Sequence, residues 1–294
     1  MALKIWLVLF SVLAVVTYAE VTEIALGGSL SCALLTGGAI KCWGDNGAGQ
    51  LGDGTTTDRT TPVDVSGITT ATGIALGGDH SCALLTDGAI KCWGDNDRGQ
   101  LGDGTTTTDS ITPVDVSGVS TATSLALGSD HSCALLTGGA IKCWGDNSAG
   151  QLGDGTTNRR TTPVDVSGIT TATSIALASY HSCALLTGGA IKCWGRNRYG
   201  QLGDGTTTQR TTPVDVSGIT TATSIALGGG HTCALLTGGT IKCWGSNGNG
   251  QLGDGTTTDR TTPVEVSGIT TSSSGGSPSL MVVLLTTFVC ALVL

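Results

Sequence analysis

Short apolar stretches, separated by glycine, threonine and proline, recur along the chain at a fixed distance. In one unit they are Ile74-Ala-Leu76, Cys82-Ala-Leu-Leu85, Ala89-Ile-Lys-Cys-Trp93 and Pro113-Val-Asp-Val116. None continues long enough for an apolar period of about 3.6 residues to complete two turns, so helices are excluded and short strands are predicted. Cysteines at 32/42, 82/92, 133/143, 183/193 and 233/243 mark five such units, starting 50, 51, 50 and 50 residues apart. A period that regular points to stacked repeats, and four strands in each unit describe a propeller blade. Cys-Ala-Leu-Leu is apolar throughout instead of alternating, as a strand covered on both faces by neighbouring blades would be. The proline is expected to open its strand, where a missing donor costs least.

Between the second and third stretches, Thr36-Gly37-Gly38 reads as a three-residue hairpin loop. Asp87 replaces the first glycine in the second unit, while Gly38, Gly88, Gly139, Gly189 and Gly239 hold the second position throughout. Positive φ is therefore expected at the second position only. Centring the hairpin on Gly37 puts Cys32 opposite Cys42 and Leu34 opposite Ile40 on one face, with Ala33 opposite Lys41 on the other. Directly opposed cysteines on paired strands are close enough to bridge. One disulfide inside each repeat follows: Cys32 to Cys42, Cys82 to Cys92, Cys133 to Cys143, Cys183 to Cys193 and Cys233 to Cys243.

The two ends read differently. Residues 1–19 carry Lys4, an apolar run from Ile5 to Val16 and Thr17-Tyr18-Ala19, the pattern of a secretory signal cut before Glu20. A run of that length is short of the roughly 20 residues of a spanning helix. Residues 272–279 form a small, polar linker, and 280–294 are apolar to the last residue with no basic residue after them. That is the pattern replaced by a glycosylphosphatidylinositol anchor, with Ser272, Ser273 or Ser274 as attachment site. A retained single-span tail is the alternative. The propeller is accordingly assigned to residues 20–271, outside the cell on the plasma membrane, or secreted.

Without the ends, ten cysteines remain as an even set at fixed spacing, which in a secreted chain is a disulfide framework and not a metal site. Few aromatics are left, so the core rests on Ala, Leu, Ile and Val. The formal charge of -8 argues against nucleic acid as a partner. No cofactor is implied.

The pattern Leu-Gly-Gly-x-His-Ser-Cys-Ala-Leu, Gly-Ala-Ile-Lys-Cys-Trp-Gly-x-Asn and Gly-Gln-Leu-Gly-Asp-Gly resembles the regulator of chromosome condensation repeat, from Val21 to about Thr270. The added cysteine pair resembles the Crinkly-type extracellular repeats of plant receptor kinases, in which such cysteines are expected to bridge within a blade. The resemblance implies an all-β propeller of about five four-stranded blades. The founding member is a seven-bladed nuclear exchange factor that also binds chromatin; an acidic chain with a secretion signal departs from it in charge and compartment, and fold does not carry function over. The first unit begins with Ile24-Ala-Leu and the last ends with Pro263-Val-Glu-Val. If each blade joined one repeat's Pro-Val strand to the next repeat's first three, the ring would close with no free edge. An open stack or a partner-completed ring is the alternative.

His80, His131, His181 and His231 share one repeat position, where the first unit has Leu30. Spread at blade spacing, they read as structural residues bonded to a loop carbonyl, not as a catalytic or metal cluster. Trp43, Trp93, Trp144, Trp194 and Trp244 read as blade-packing residues. Asp45-Asn46 with Asp53-Gly54 has the oxygen content of a calcium loop, but Arg196 and Ser246 replace the first aspartate in later units, so a turn held by side-chain bonds is expected instead. Every candidate for a catalytic constellation recurs as scaffold, so no enzyme is expected.

Against near-identical units, the differing positions carry the information. They fall before the His, after Trp-Gly, and at the end of the Thr-rich loop. The fourth unit stands out with Tyr180, Arg196, Arg198 and Tyr199, and the second has Asp97 and Arg98. These six are the candidate binding residues, since loops on a rigid scaffold are where recognition sits. The expected function is a non-catalytic surface propeller engaging an extracellular protein or glycan. The alternatives are a multivalent lectin with equivalent sites between blades and a structural wall or coat component.

Overall fold

The computed structural model describes residues 19–106 and 108–269. The signal segment up to Tyr18, the linker with Ser272, Ser273 and Ser274, and the tail 280–294 lie outside the described residues. Among those described, no helix is long and apolar enough to cross a membrane.

Each repeat folds as one antiparallel meander. The first holds β1 (Val21–Leu26), β2 (Leu30–Leu35), β3 (Ile40–Gly44) and β4 (Arg59–Asp64); the second β5 (Ala71–Leu76), β6 (His80–Leu85), β7 (Ile90–Gly94) and β8 (Ser110–Asp115). The third holds β9 (Ala122–Leu127), β10 (His131–Leu136), β11 (Ile141–Gly145) and β12 (Arg160–Asp165). In the fourth are β13 (Ala172–Leu177), β14 (His181–Leu186), β15 (Ile191–Gly195) and β16 (Arg210–Asp215), and in the fifth β17 (Ala222–Leu227), β18 (His231–Leu236), β19 (Ile241–Gly245) and β20 (Arg260–Glu265). Five four-stranded sheets result, each with its strands in chain order. The first strands of successive blades touch one another, which places them where the blades converge.

The middle hairpin has the expected register: Cys32 pairs with Cys42, Ala33 with Lys41 and Leu34 with Ile40. All five disulfides form within their blades, with Cα atoms 4.1 Å apart. Two local expectations are corrected. Both loop glycines have positive φ where both are glycine, 93° at Gly37 and 85° at Gly38. Asp87 avoids that region and instead accepts a bond from the Ala89 amide at 3.0 Å, so the turn changes with the residue. Pro62 does not open its strand: it is the fourth residue of β4, in an irregularity where Val63 pairs with Cys42 but Arg59 with Gly44. An outermost strand interrupted by a bulge tolerates the missing donor equally well.

Blades pack face to face through one repeated joint. In the first core cluster Leu34, Ile40, Leu51 and Ile68 of the first blade meet Ile74, Leu76 and Trp93 of the second. Trp93 Nε1 donates to the Gln50 carbonyl at 2.9 Å, and Ser81 Oγ donates to the same oxygen at 2.8 Å. Gly52 leaves the space the indole fills; a Cβ there would meet Trp93 Nε1 and Cδ1. Trp144, Trp194 and Trp244 repeat the bond to Gln100, Gln151 and Gln201. Trp93, Trp144, Trp194 and Trp244 are packing residues, as expected.

Three of the four histidines bridge blades instead of bonding loop carbonyls. His80 Nε2 lies 2.8 Å from Ser132 Oγ of the next blade, His131 Nε2 3.0 Å from Ser182 Oγ, and His181 Nε2 3.0 Å from Thr232 Oγ1. Each of those hydroxyls already donates its proton to a Gln carbonyl. Nε2 must therefore carry the ring proton, leaving Nδ1 as a bare lone pair, and the three Nδ1 atoms are buried without a partner. Burial, with the charge of His131 secondary, pushes His80 down to about 3; burial and the charges of His131 and His231 do the same to His181. Burial brings His131 to about 4, against an opposing pull from Asp146. With folded values below the unfolded 6.5, stability is fully present above about pH 6.5 and falls as pH drops toward 4. Thermal melts should show a lower Tm at pH 5 than at pH 7.5. His80→Leu combined with His181→Leu should flatten that slope, because Leu30 occupies the position in the first blade while Ser81 keeps its bond to Gln50.

Among the described residues the joint is not made between the fifth blade and the first. Since β4 pairs with β3 of its own repeat, no strand is exchanged between repeats among the described residues, and closure of a ring is not shown. Val21, Ile24 and Leu26 are 55%, 60% and 45% exposed, where their counterparts Ile74 and Leu76 are buried. Trp43 is half-buried, unlike the other four blade tryptophans. At the other end Ile269 is 50% exposed, where Ile68, Val119, Ile169 and Ile219 are core. Among the described residues the five blades thus follow one another in an arc whose two end faces stay open.

Candidate functional site

Antiparallel meandering sends the β1–β2 and β3–β4 connections of every blade to one edge. The Asp45 amide donates to the Ser29 carbonyl at 3.0 Å, joining the two. The longer connection is rigid because a buried asparagine organises it. Asn46 Nδ2 donates to the carbonyls of Thr55 and Thr57, and its Oδ1 accepts the Leu51 amide. The turn is thus held by side-chain bonds to backbone, as expected.

Asp53, the other half of the calcium reading, is committed elsewhere. It pairs with Arg59 at 2.6 Å and accepts from Thr55. Burial alone would raise its carboxyl, but those bonds hold it below the usual carboxylate range. Asp154, Asp204 and Asp254 pair likewise with Arg160, Arg210 and Arg260. Ser110 stands where the second blade would need that arginine.

On this frame the varying positions lie side by side. Gln50 Nε2 donates to Asp45 Oδ2, Gln100 Nε2 to Asp95 and Gln151 Nε2 to Asp146, so these three aspartates support the turn as well as charge the surface. Asp79 is raised by burial and by the charges of Asp45 and Asp95; Asp130 is raised by burial and by Asp146, Asp95 and Asp79, with Arg98 opposing. Asp97, also a candidate, brings a carboxylate oxygen within 4.8 Å of those of Asp95 and Asp109, an oxygen set of the kind a hard cation takes. Its carbonyl accepts from Arg159 Nη1 of the next blade at 2.7 Å. The loop edge of the first three blades is acidic.

The fourth blade reverses the sign. Arg196 stands where the first three have aspartate, and its guanidinium stacks 4.0 Å above the Tyr180 ring. Arg198 lies 5.6 Å from the centroid of Tyr199, and Tyr199 reaches across to the fifth blade, where a Cβ on Gly230 would meet its Cδ2 at 3.4 Å. Arg196, Arg198 and Tyr199 are exposed and Tyr180 is half-buried. The structure therefore groups four of the six candidates on one blade and sets Asp97 and Arg98 on another.

One residue the sequence comparison passed over lies at the inner strands. A cavity of about 200 Å³ opens between β1, β5 and β9, lined among others by Glu23, Gly73, Thr123 and Ser124. Burial raises the Glu23 carboxyl, partly offset by a bond from the Ile74 backbone. Its signal was available: Glu23 occupies a position where the other repeats have Gly73, Ser124, Ser174 and Ser224.

Sheets of sequential antiparallel strands packed face to face around a common centre define a β-propeller. The profile of the RCC1-like domain matches residues 11–281, and the chain belongs to that family. Among solved structures it is similar to human WBSCR16, at 23% identity and TM-score 0.74, over 84% of this chain and 67% of that one. Prp20p from Saccharomyces cerevisiae, described with its binding to Gsp1p and histones, matches at 23% identity and TM-score 0.74 over 84% and 63%. The ectodomain of the receptor kinase CR4 from Physcomitrella patens matches at 21% identity and TM-score 0.49, over 77% and 51%. The chain thus spans about two thirds of the length of the first two.

Proposed function

We propose that the chain is a non-catalytic binding propeller, held at the outer face of the plasma membrane by a lipid anchor, whose loop edge engages an extracellular protein or glycan. The observation that carries this reading is the cation and aromatic cluster of the fourth blade, Tyr180 with Arg196 and Arg198 with Tyr199, beside an acidic surface. Tyr and Arg are enriched where binding energy concentrates, since they combine large contact area with polar ends. A second reading, the lectin with equivalent sites, draws on the near-identity of the loop frames, which would turn weak single contacts into strong binding by multivalency. Asp97 and Arg98 extend either surface onto the second blade.

The test is a glycan array, run beside a panel of cell-surface ectodomains, probed with residues 20–271 and with the variant Arg196→Asp, Arg198→Gly, Tyr199→Ala, which installs the first blade's residues. The substituted side chains are exposed, so folding should be unchanged, while binding should weaken by roughly 2 kcal/mol or more. Ligands bound equally by both would favour equivalent sites in all blades over a hot spot on one. For the anchor, phosphatidylinositol-specific phospholipase should release the protein from expressing cells. Retention, with peptides of 280–294 still detected, would favour a spanning tail.

A further inference from the structure

The two faces left open at the ends of the arc are the two halves of one joint. At each internal joint the earlier blade contributes a Gln carbonyl, a glycine cradle and, from the second blade on, a His; the later blade contributes a Trp and a hydroxyl. The fifth blade still has the earlier set: Gln251, His231 and Gly253, whose Cβ direction meets only Val266 where its counterparts meet the next indole. Likewise the first blade has the later set, Trp43 and Ser31, both half-buried where their counterparts are fully buried. Among the described residues neither Trp43 Nε1 nor His231 Nε2 makes the bond its counterparts make. End repeats that stay solvated carry a polar outer face; these carry Ile24, Leu26 and Ile269, all exposed.

From this we infer that the fifth blade receives the first blade of a second copy of this chain, head to tail. Trp43 then seats on Gly253 and donates to the Gln251 carbonyl, and His231 donates to Ser31. The occupant is another copy because the missing piece matches, group for group, a piece the chain itself carries at its other end. Closure on the same chain would require the arc to tighten, and the five blades instead follow the course of chains of which they span only 67% and 63%. The contact is heterologous, so a pair still shows one face of each kind and can grow further. It does not use the loop edge and stands apart from the binding reading above.

The test uses the full chain, processed by a secretory host and purified in mild detergent, with mass measured by sedimentation across a dilution series. One variant, Ile24→Lys with Leu26→Lys, disables the first blade's face; another, Ile269→Lys, disables the fifth's. All three side chains are exposed in the single chain, so both variants should fold, checked by near-ultraviolet circular dichroism. Wild type should associate in whole-chain steps, each variant alone should lose at least about tenfold in self-association, and an equal mixture of the two should form a dimer and nothing larger. A wild type that stays monomeric would overturn the inference, whether Trp43 is accessible to oxidative footprinting or is shielded by the chain's own fifth blade or tail. So would oligomers that persist in both variants, since another surface would then be responsible.

Discussion

Complete reduction of the five disulfides unfolds the domain at room temperature under conditions in which the oxidised form is folded. Each bridge closes a loop of ten residues between β-strand partners, and loop-closure entropy assigns about 2–3 kcal/mol to a loop of that length. Five such constraints add up to the order of 10 kcal/mol, comparable with the whole stability of a typical domain. The blade-to-blade packing is otherwise made mostly by Ala, Val, Leu and Ile with one tryptophan at each joint. The cystines lie in those contacts themselves: Cys32 and Cys42 are fully buried in the first core cluster. Circular dichroism with and without reductant in mild urea, sufficient to open the buried bridges, checks this. A reduced form melting within a few degrees of the oxidised one would contradict it.

Loss of a tryptophan should depend strongly on which blade it leaves. Trp144 is fully buried, and its Nε1 donates to the Gln100 carbonyl at 2.8 Å. Trp144→Ala removes that bond and leaves a cavity facing Gly102, for a cost of about 3–5 kcal/mol. Trp43 is half-buried and faces no preceding blade. Trp43→Ala should therefore cost about 1–2 kcal/mol at dilutions where the chain is monomeric, since partial exposure forfeits much of the burial energy. Urea titrations of both variants read the difference. Equal losses would mean that the joint also forms within a single chain.

What was legible in the sequence was whatever depends on neighbours a few residues apart. The pairing of Cys32 with Cys42 follows from a short hairpin of side-chain period two, and the structure has it. Strand number per repeat followed from the spacing of apolar stretches and breakers. Relations across blades were not legible. His80 meets a hydroxyl 52 residues on, and nothing in the local pattern distinguishes that from a bond to a nearby carbonyl. Whether β4 pairs within its own repeat or with the next is likewise invisible to a periodic pattern, because both pairings repeat identically; only Val63 beside Cys42 in space decides it. At the loop edge, comparison of repeats found Tyr180 and Arg196 as differences, but their stacking at 4.0 Å needed the fold. Arg196 and Ser246 in place of Asp45 counted in the sequence against a calcium loop, but only the fold shows that Asp45, Asp95 and Asp146 each accept a bond from a turn glutamine, so part of the variation at that position is structural. Glu23 was missed because it lies outside the three places on which the comparison centred.

The central claim is that one repeat makes one blade, with its own bridge and its own pairing, so that the blades stand as equivalent units in an arc. Proteolysis without reduction, followed by mass spectrometry of the linked peptides, tests it most directly. The account predicts five local pairs, Cys32 with Cys42, Cys82 with Cys92, Cys133 with Cys143, Cys183 with Cys193 and Cys233 with Cys243, and no free thiol among those ten. A bridge joining cysteines of two different repeats would contradict the register of every blade.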